Sequence, residues 1–368
     1  MKRELTLILK IRDNHVARIL IKLPRINTTK LLSKHTIIEG QRLLPSLFSV
    51  CAQAQGAAAW GALVCSGGNS DDLKEHEMMH TVAVQIESIQ ENLRSLTFSL
   101  PDTLRDMAMM GHFAKTWRES TQFLGRLQQA MQQDEFIFPD SFRALLGAWD
   151  DFCEAYIFGV HSEQWLKKME ALQTFSDLAP TPVLQWVRGI AQEMPELGRM
   201  ITEPLPLESY RRGTMRWEHL ISQPFEAGTW LRINQEPGMA FVIDRFGNSA
   251  ASRIVGRLVD VARTLTMLFG DYDAEPWIKT YRSDGDFCVA EVQCARGVLL
   301  HRAKVENNHI VSYNVCAPTD WNLHKNGALS TLIGVAAANR DRLYRHATWL
   351  VQSLDPCVAF SIEMDEEK

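Results

Sequence analysis

The stretch VQSLDPCVAFSIEM, residues 351–364, places one cysteine, Cys357, directly after an Asp-Pro pair. Proline fixes its own φ angle and disfavours helix at the preceding residue, so the chain is expected to turn sharply at Asp355-Pro356. A thiol just after such a turn can lie at a helix N-terminus, where unpaired N–H groups lower its pKa. Because thiolates bind soft metals, Cys357 is a candidate metal ligand that needs a partner elsewhere in the chain.

The candidate partner is Cys51, which also lies among small and apolar residues near a predicted helix start. The chain has seven cysteines, which are scattered and form no C-x-x-C pair. This pattern argues against zinc ribbons and thioredoxin-like sites. The other cysteines are expected to be inert core thiols in a reducing compartment: Cys65, Cys153, Cys288, Cys294 and Cys316.

The composition is that of a soluble globular protein. Of 368 residues, 46% are hydrophobic and 23% charged, which is enough apolar material for a large core. The net charge of −5 argues against nucleic acid or an anionic membrane as the main partner. No apolar run approaches the length of about 18 residues that a membrane span needs. The N-terminus reaches Lys10 too early for a signal-peptide core, so a cytoplasmic location is expected.

The pattern along the chain predicts an α+β fold that is mainly helical. Alternating apolar residues over 4–22, interrupted by Asp13-Asn14, are typical of a β-hairpin. Loops or breaks are expected at 66–72 and 134–139. The remaining predicted elements are helices over 28–44 (stopped by Pro45), 47–64, 73–100, most of 102–203, 249–269 and 329–351, and strands over 298–301 and 310–315.

The order hairpin, helices, small sheet and final helix predicts one unit whose two ends meet. We therefore expect a single domain over 1–368. Its parts would be an N-terminal hairpin with the Cys51 motif (1–65), a helical core (66–270), and a C-terminal part with a small sheet, the final helix and the Cys357 motif (271–368).

Four blocks, in order, resemble the large subunits of nickel–iron hydrogenases. The tail resembles their V-H-S-x-D-P-C-x-x-C-x-x-H signature, and LPSLFSVCAQAQ at 44–55 resembles R-x-C-G-x-C-x-x-x-H. PFEAGTWLR at 224–232 is similar to P-x-E-T-G-x-x-x-R, and EVQCARGVLLH at 291–301 with YNVCAPTDWN at 313–322 is similar to R-G-x-x-x-H followed by Y-x-x-x-x-P-T-x-W-N. The resemblance covers both ends and the final third of the chain, and it implies a hydrogenase large-subunit-like helical core.

The chain departs from this pattern at the metal ligands. Phe48 and Phe360 replace one cysteine of each pair, Gln55 replaces the histidine after the first pair, and Glu363 replaces the C-terminal histidine where a maturation protease cuts. Four cysteines hold the metals of these hydrogenases, so two are too few for a nickel site. The altered pattern resembles the hydrogenase-like maturation proteins of the HupK/HoxV type.

This resemblance implies a non-catalytic assembly protein, without nickel, that carries an Fe(CN)2(CO) fragment on Cys51 and Cys357. It would pass the fragment to the immature hydrogenase large subunit, and a small HypC-type chaperone would deliver it. Arg296 matches an arginine whose fork suits hydrogen bonding to cyanide. Thr319 is a second possible donor to cyanide, and Pro318 suits carbon monoxide, which is a poor hydrogen-bond acceptor.

Other residues near these blocks have open roles. Asp355 is expected either to orient the Cys357 turn or to pair with Arg296. Gln55, at the position of the family's histidine, is placed with the residues that bind the fragment. Either Cys294 or Cys316 could line the pocket, since both are close in sequence to the matching blocks.

Glu87 and Glu91 are interpreted as a solvated helix face or a partner contact, and His301 and His324 as structural residues. Two other functions remain open. One is a divergent hydrogenase large subunit with residual metal-dependent redox activity, which would need nickel. The other is a structural remnant like the quinone-site subunit of respiratory complex I, a lineage with no reason to keep the Asp-Pro-Cys turn.

Overall fold

The helices and strands belong to a computed structural model that describes residues 4–23, 27–48, 50–67, 72–132, 141–200, 203–270 and 276–367. The helices are α1 (Thr28–Leu32), α2 (Ile37–Ser46), α3 (Ala52–Gly67), α4 (Asp72–Ser99), α5 (Met107–Gln132), α6 (Ser141–Cys153), α7 (Ser162–Glu170), α8 (Pro182–Glu193), α9 (Leu207–Arg211), α10 (Trp217–Leu220), α11 (Trp230–Ile233), α12 (Ala240–Phe246), α13 (Ala250–Phe269), α14 (Pro318–Asn322) and α15 (Arg340–Leu354). The strands are β1 (Glu4–Arg12), β2 (His15–Lys22), β3 (Ile278–Arg282), β4 (Cys288–Cys294), β5 (Gly297–Glu306), β6 (His309–Cys316) and β7 (Ala359–Glu366). The predicted break at 134–139 and most of the predicted loop at 66–72 lie outside the described residues.

The two ends of the chain meet in a sheet of order β2-β1-β7. The antiparallel hairpin of β1 and β2 turns at Asp13 and Asn14, whose φ angles of 51° and 57° are left-handed. Such angles are those of the hairpin turns whose twist suits the flanking strands. β7 lies parallel to β1 on its other side, with Leu5 opposite Phe360. The predicted hairpin and the predicted meeting of the ends are both confirmed.

The strand β7 itself is not among the predicted elements. Its alternate residues Phe360, Ile362 and Met364 pack against the helical core, while Glu363 and its polar neighbours lie between them. The period of two is present in the sequence, but it is short and rich in acidic residues. Pairing with β1, which is distant in sequence, decides that this segment forms a strand.

A second, antiparallel sheet of order β3-β4-β5-β6 supports α3. The small residues of α3 allow it to lie close to the sheet. A Cβ atom on Gly61 would lie 2.8 Å from Thr280 Cγ2 and 3.1 Å from Ala290 Cβ. The prediction of a small-residue helix packed tightly on its neighbours is therefore confirmed, although the helix begins at Ala52.

The helical core surrounds α13, which packs against α4, α7, α8, α11 and α15. Three charged side chains of α13 are buried, and each is paired: Arg253 with Glu226, Arg257 with Asn92 and Asp355, and Asp260 with Arg232. Within the described ranges, none of the helices combines the length and the apolar character that crossing a bilayer requires.

Two predicted helix boundaries are wrong. The helix predicted over 28–44 is two helices, because a capping box of Thr36 and Glu39 starts α2, which runs one residue past Pro45. The helix predicted over 329–351 begins only at Arg340, where Asn339 accepts a hydrogen bond as the cap.

The prediction that Cys65 and Cys288 are inert thiols is also wrong. They form a disulfide between the end of α3 and the start of β4, with their Cα atoms 5.9 Å apart. The residues are 223 positions apart in sequence, so only the packing of α3 on the sheet brings them together.

The close contact of α3 with the sheet predicts the effect of one methyl group. We expect Gly61→Ala to lower the free energy of unfolding by about 1–3 kcal/mol, because the new Cβ overlaps Thr280 and Ala290. The matched control is Gly125→Ala in α5, where a Cβ meets no atom within 4 Å and should stabilise the helix by about 0.5–1 kcal/mol. Urea unfolding of the two variants measures both effects. A Gly61→Ala protein as stable as the wild type would contradict the contact.

Candidate metal-binding site

Cys51 lies immediately before α3, and its side chain is buried. Its carbonyl accepts the first hydrogen bond of the helix, from the Gln55 N–H at 2.9 Å. The φ angle of Cys51 is 60°, a left-handed value that is uncommon for a residue other than glycine. This backbone conformation directs the sulfur to the side of the helix start, where Arg296 Nη1 donates a hydrogen bond to it at 2.8 Å.

Arg296 occupies the turn between β4 and β5 and is 3% exposed. Its Nη2 donates to Glu91 Oε2 at 3.2 Å, and its Nε lies 3.5 Å from Asp355 Oδ2. Although burial opposes its charge, Asp355, Cys51 and Glu91 raise the pKa of Arg296. The site therefore contains a fixed positive charge that touches elements from both ends of the chain.

The turn that holds Arg296 requires glycine at the next position. Gly297 has a φ of 117°, and a Cβ there would lie 1.8 Å from the Ala227 carbonyl oxygen. The Asn322 side chain donates to the Arg296 carbonyl at 3.3 Å and accepts from the Ala227 N–H at 3.2 Å. Two of the four matching sequence blocks therefore meet at this turn: the block of Ala227 and the block of Arg296 and Asn322.

Asp355 caps the end of α15 in a left-handed conformation, with φ 47°. Its carboxylate lies between two guanidinium groups, 3.5 Å from Arg296 Nε and 3.4 Å from Arg257 Nη2, and it also accepts a hydrogen bond from Ser95. Burial acts against the charge, but Arg257 and Arg296 lower the pKa of Asp355 below its usual value. The structure thus places Asp355 both at the turn before Cys357 and against Arg296.

Cys357 is half-buried, and its sulfur lies 4.0 Å from the Thr319 hydroxyl. Thr319 follows Pro318 in the first turn of α14, which the Asp320 carboxylate caps. The expected helix N-terminus at Cys357 is wrong, because this residue follows the C-terminus of α15 and precedes β7. The expected low pKa is wrong too, since burial raises the pKa of this thiol more than Arg296 lowers it.

The sequence left open whether Cys294 or Cys316 lies at the site. Cys294 ends β4, is buried, and shares a hydrogen bond with the Cys51 side chain. That bond raises the pKa of Cys51 and lowers the pKa of Cys294, while the charge of Arg296 favours the thiolate form of both. Cys294 is the core thiol that the structure places against Cys51, while Cys316 lies elsewhere. The available signal was the alternation of Cys294 with Ala290 and Val292, which face the same cluster.

Glu87 and Glu91 are buried beneath the start of α3, so the predicted solvated face is wrong. Glu87 accepts hydrogen bonds from the N–H groups of Gln53 at 2.8 Å and Ala54 at 2.9 Å. Burial raises the pKa of Glu87 to about 8. Every residue of α4 from 81 to 93 is buried, polar and apolar alike, so this part of the helix has no exposed face.

Gln55 bonds to another side chain of the protein. Its Oε1 lies 2.9 Å from His301 Nε2, and His301 Nδ1 lies 2.6 Å from the Tyr313 hydroxyl. Burial lowers the pKa of His301 to about 3, so the ring is neutral at physiological pH. An amide oxygen only accepts, so Nε2 carries the proton and Nδ1 accepts from the tyrosine. The other predicted structural histidine, His324, is in the turn after α14.

Phe48 and Phe360, the two residues that replace cysteines, line one pocket together with Cys357. The pocket has a volume of about 540 Å³ and also contacts Val50 and Phe98. Its wall is mostly apolar apart from the thiol and the polar groups around Asp355. Cys316, by contrast, lies in the cluster on the far face of the second sheet, and Cys153 lies in the helical core.

Chemically, these groups suit a soft metal ion that carries anionic ligands. Thiols supply the metal–sulfur bonds, and a buried guanidinium group offers hydrogen bonds and positive charge to the ligands. Cys51, Arg296 and Asp355 form one connected group, and Thr319 contacts Cys357, which follows Asp355 by two residues.

The buried Glu87 predicts a specific dependence of stability on pH. The pKa of Glu87 in the folded protein is about 8 against an ordinary 4.5, so the folded state holds a proton that the unfolded chain has lost. Stability should therefore fall as pH rises through this window, by about 1.4 kcal/mol per pH unit. Urea unfolding at pH 5.5 and 7.5 should show the wild type losing about 3 kcal/mol more than Glu87→Gln. The exposed Glu218→Gln variant is the control, and equal pH dependence in all three proteins would contradict the buried, protonated glutamate.

Several known proteins are similar to this chain in sequence. Over 348 residues the chain is 26% identical to the hydrogenase expression/formation protein HupK of Azotobacter vinelandii, covering 93% of this chain and 92% of that protein. HupV of Azotobacter chroococcum gives 25% identity over the same shares. HupK of Bradyrhizobium diazoefficiens is 34% identical over 151 residues, a match that spans 40% of this chain and 41% of the relative. No protein-family model matches the chain.

Solved structures show the same fold. The nickel–iron–selenium hydrogenase of Desulfovibrio vulgaris Hildenborough superposes with a TM-score of 0.54 at 13% identity, covering 95% of this chain and 94% of that one. The enzyme of Desulfomicrobium baculatum gives 0.56 at 13% identity, over 95% and 96%. The chain is thus similar over most of its length to the hydrogenase expression/formation proteins HupK and HupV and over part of it to HoxV, and it has the fold of the hydrogenase large subunits.

Proposed function

We propose that the protein is a non-catalytic carrier of the Fe(CN)2(CO) fragment in nickel–iron hydrogenase maturation. It holds the fragment with the thiolates of Cys51 and Cys357 and passes it to the immature large subunit. The names of its relatives support a role in hydrogenase formation. The observation that carries the proposal is Arg296, a buried guanidinium group bonded to Cys51 and within electrostatic reach of Cys357.

The charges of the site suit this cargo. The iron fragment carries two cyanides and binds thiolates, so it adds negative charge to a buried place. Arg296 supplies a permanent positive charge there, and its forked N–H groups are suited to cyanide nitrogens. The Thr319 hydroxyl, 4.0 Å from the Cys357 sulfur, offers a second donor, and Pro318 offers an apolar contact for carbon monoxide. Gln55, which bonds His301, has the supporting role of fixing the start of α3.

Release of the iron fragment requires that its two ligands, Cys51 and Cys357, differ in how easily a partner can reach them. Cys51 is deep, while Cys357 is half-buried on a pocket that leads to the exposed Phe98. A HypC-type chaperone and the large subunit would exchange the fragment through this pocket, in the cytoplasm. Phe48 and Phe360 fill the places of the second thiolates that nickel would need, and they keep water away from the iron.

Infrared and metal analysis of the purified protein tests the carrier function. Protein from cells with intact hydrogenase-assembly genes should show carbon monoxide and cyanide stretches and contain iron without nickel. Cys51→Ala plus Cys357→Ala should abolish the bands, because both anchors are lost. Cys153→Ala, a buried cysteine of the helical core, is the matched control and should keep them.

Two results would overturn the proposal. One is the absence of the bands from the wild type, or their persistence in the double variant. The other is stoichiometric nickel together with hydrogen-dependent dye reduction, which would support the alternative of a divergent hydrogenase.

The guanidinium group of Arg296 makes a separate prediction. Arg296→Lys keeps the charge but loses the planar fork, so the cyanide stretches should shift and the iron content should fall several-fold. Arg212→Lys is the control, because Arg212 is an exposed arginine in an ion pair with Glu208. Unchanged cyanide frequencies in an iron-loaded Arg296→Lys protein would show that Arg296 does not touch the cargo.

A further inference from the structure

A small cavity lies next to Arg296 and is separate from the pocket of Cys357. Its volume is about 20 Å³, and its wall includes Arg296, Asp355 and Arg257. Asp355 is the residue that the walls of this cavity and of the Cys357 pocket have in common. The carboxylate of Asp355 therefore stands between the two spaces.

The two oxygens of that carboxylate have different surroundings. Oδ1 accepts a hydrogen bond from Ser95, which lines the Cys357 pocket. Oδ2 lies 3.4 Å from Arg257 Nη2 and 3.5 Å from Arg296 Nε, and both arginines line the small cavity. Oδ2 is thus the oxygen of Asp355 on the cavity side.

Two buried polar atoms of the cavity wall have no hydrogen-bond partner among the described residues. They are Arg296 Nε and Asp355 Oδ2. Their separation of 3.5 Å exceeds the usual N–H···O distance of about 2.7–3.2 Å, so they form an ion pair without a hydrogen bond. Native proteins rarely leave buried polar atoms without a partner, and a bound molecule is one way to supply it.

Other polar groups of the wall already have partners within the protein. The Thr229 hydroxyl donates to the Ala295 carbonyl at 2.8 Å, and Arg253 Nη2 donates to Glu226 Oε2 at 2.9 Å. The need for a hydrogen bond is therefore concentrated at the guanidinium Nε and the carboxylate Oδ2.

We propose that this cavity binds one internal water molecule, which accepts a hydrogen bond from Arg296 Nε and donates one to Asp355 Oδ2. A guanidinium N–H only donates, and a carboxylate oxygen only accepts. The bound molecule must therefore do both, which excludes a halide ion and an ammonium ion. The volume of about 20 Å³ is also enough for one water, which needs roughly 10–15 Å³.

The water completes the set of contacts that orients the guanidinium group. Nη1 of Arg296 bonds Cys51 and Nη2 bonds Glu91, so the water holds the remaining nitrogen. Through the water, Asp355 acts as a positioning residue for Arg296. This water site needs no bound iron fragment, so it is independent of the proposed carrier function.

Gly228 allows a specific perturbation of the cavity that it lines. Its φ angle is not positive, and a Cβ atom there would lie 3.4 Å from Asn322 Nδ2 and 3.6 Å from Glu226 Oε1. These are ordinary contacts with two other residues of the wall, so alanine fits at 228 and its methyl group takes the room of the water. The matched control is Gly189→Ala in α8, where a Cβ meets no atom within 4 Å.

Crystal structures of the wild type and of Gly228→Ala, both purified from cells that lack the assembly genes, test the water site. The wild type and Gly189→Ala should show density for one water within about 2.7–3.2 Å of both Arg296 Nε and Asp355 Oδ2. Gly228→Ala should show none. In solution, the nuclear Overhauser effect between water and the Arg296 Nε–H proton should fall at least threefold in Gly228→Ala.

Three results would overturn the proposal. The first is a wild-type structure without density between the two atoms, and the second is a direct hydrogen bond between Arg296 and Asp355. The third is anomalous scattering at this position in crystals soaked in bromide, because the bound species would then be a halide. If circular dichroism shows that Gly228→Ala does not fold, the wild-type density and the wild-type Overhauser effect decide. Infrared bands of the iron fragment play no part in these measurements, so failure of the carrier function would leave the result for the water unchanged.

Discussion

The buried guanidinium group of Arg296 is the interaction on which the rest of the site depends. A charge that is 3% exposed persists only when neighbouring groups compensate it, and removing one partner of a buried pair costs about 3–5 kcal/mol. The compensating groups come from distant parts of the chain: Cys51 before α3, Glu91 in α4 and Asp355 after α15. Because this one cation contacts all three, it ties the two ends of the chain to the same place in the molecule.

The buried charges near Arg296 are compensated in the same way, by partners on other elements. Arg232 bonds Asp260, Arg253 bonds Glu226, and Arg257 lies between Asn92 and Asp355. Each positive group has a partner on a different element, and α13 supplies one member of every pair. The charges around the site are therefore paired within the protein itself, and supporting residues of this kind are what a metal site needs for defined geometry. Glu87 is the exception, since burial raises its pKa to about 8 and it contributes hydrogen bonds without a full charge at neutral pH.

The sequence was sufficient for the features that local patterns and motif order determine. These include the hairpin at Asp13-Asn14, the long helix α4, and the placement of the Cys357 turn near the Arg296 block. The sequence was insufficient where a contact with a residue or strand distant in the chain determines the structure. β7 becomes a strand because β1 lies beside it, Glu91 is buried because α3 and Arg296 cover it, and Cys294 faces Cys51 because of the register of a helix on a strand. At Cys357 the local pattern also predicted the wrong structure. The Asp-Pro pair ends α15, and the next element is the strand β7.

In the proposed function, the two phenylalanines are what distinguishes a carrier from an enzyme on this fold. Phe48 and Phe360 line the pocket beside Cys357, at the positions where the hydrogenase pattern has its other thiolates. In the proposed carrier, aromatic rings there would add apolar volume and remove ligands for a second metal, and fewer bonds would have to break when the iron fragment leaves. In the proposed carrier, Cys51 holds the fragment against the fixed charge of Arg296, and the half-buried Cys357 is the bond most exposed to an incoming partner. Exchange would therefore begin at Cys357, since a competing ligand reaches its sulfur through the pocket while α3 and β4 shield Cys51.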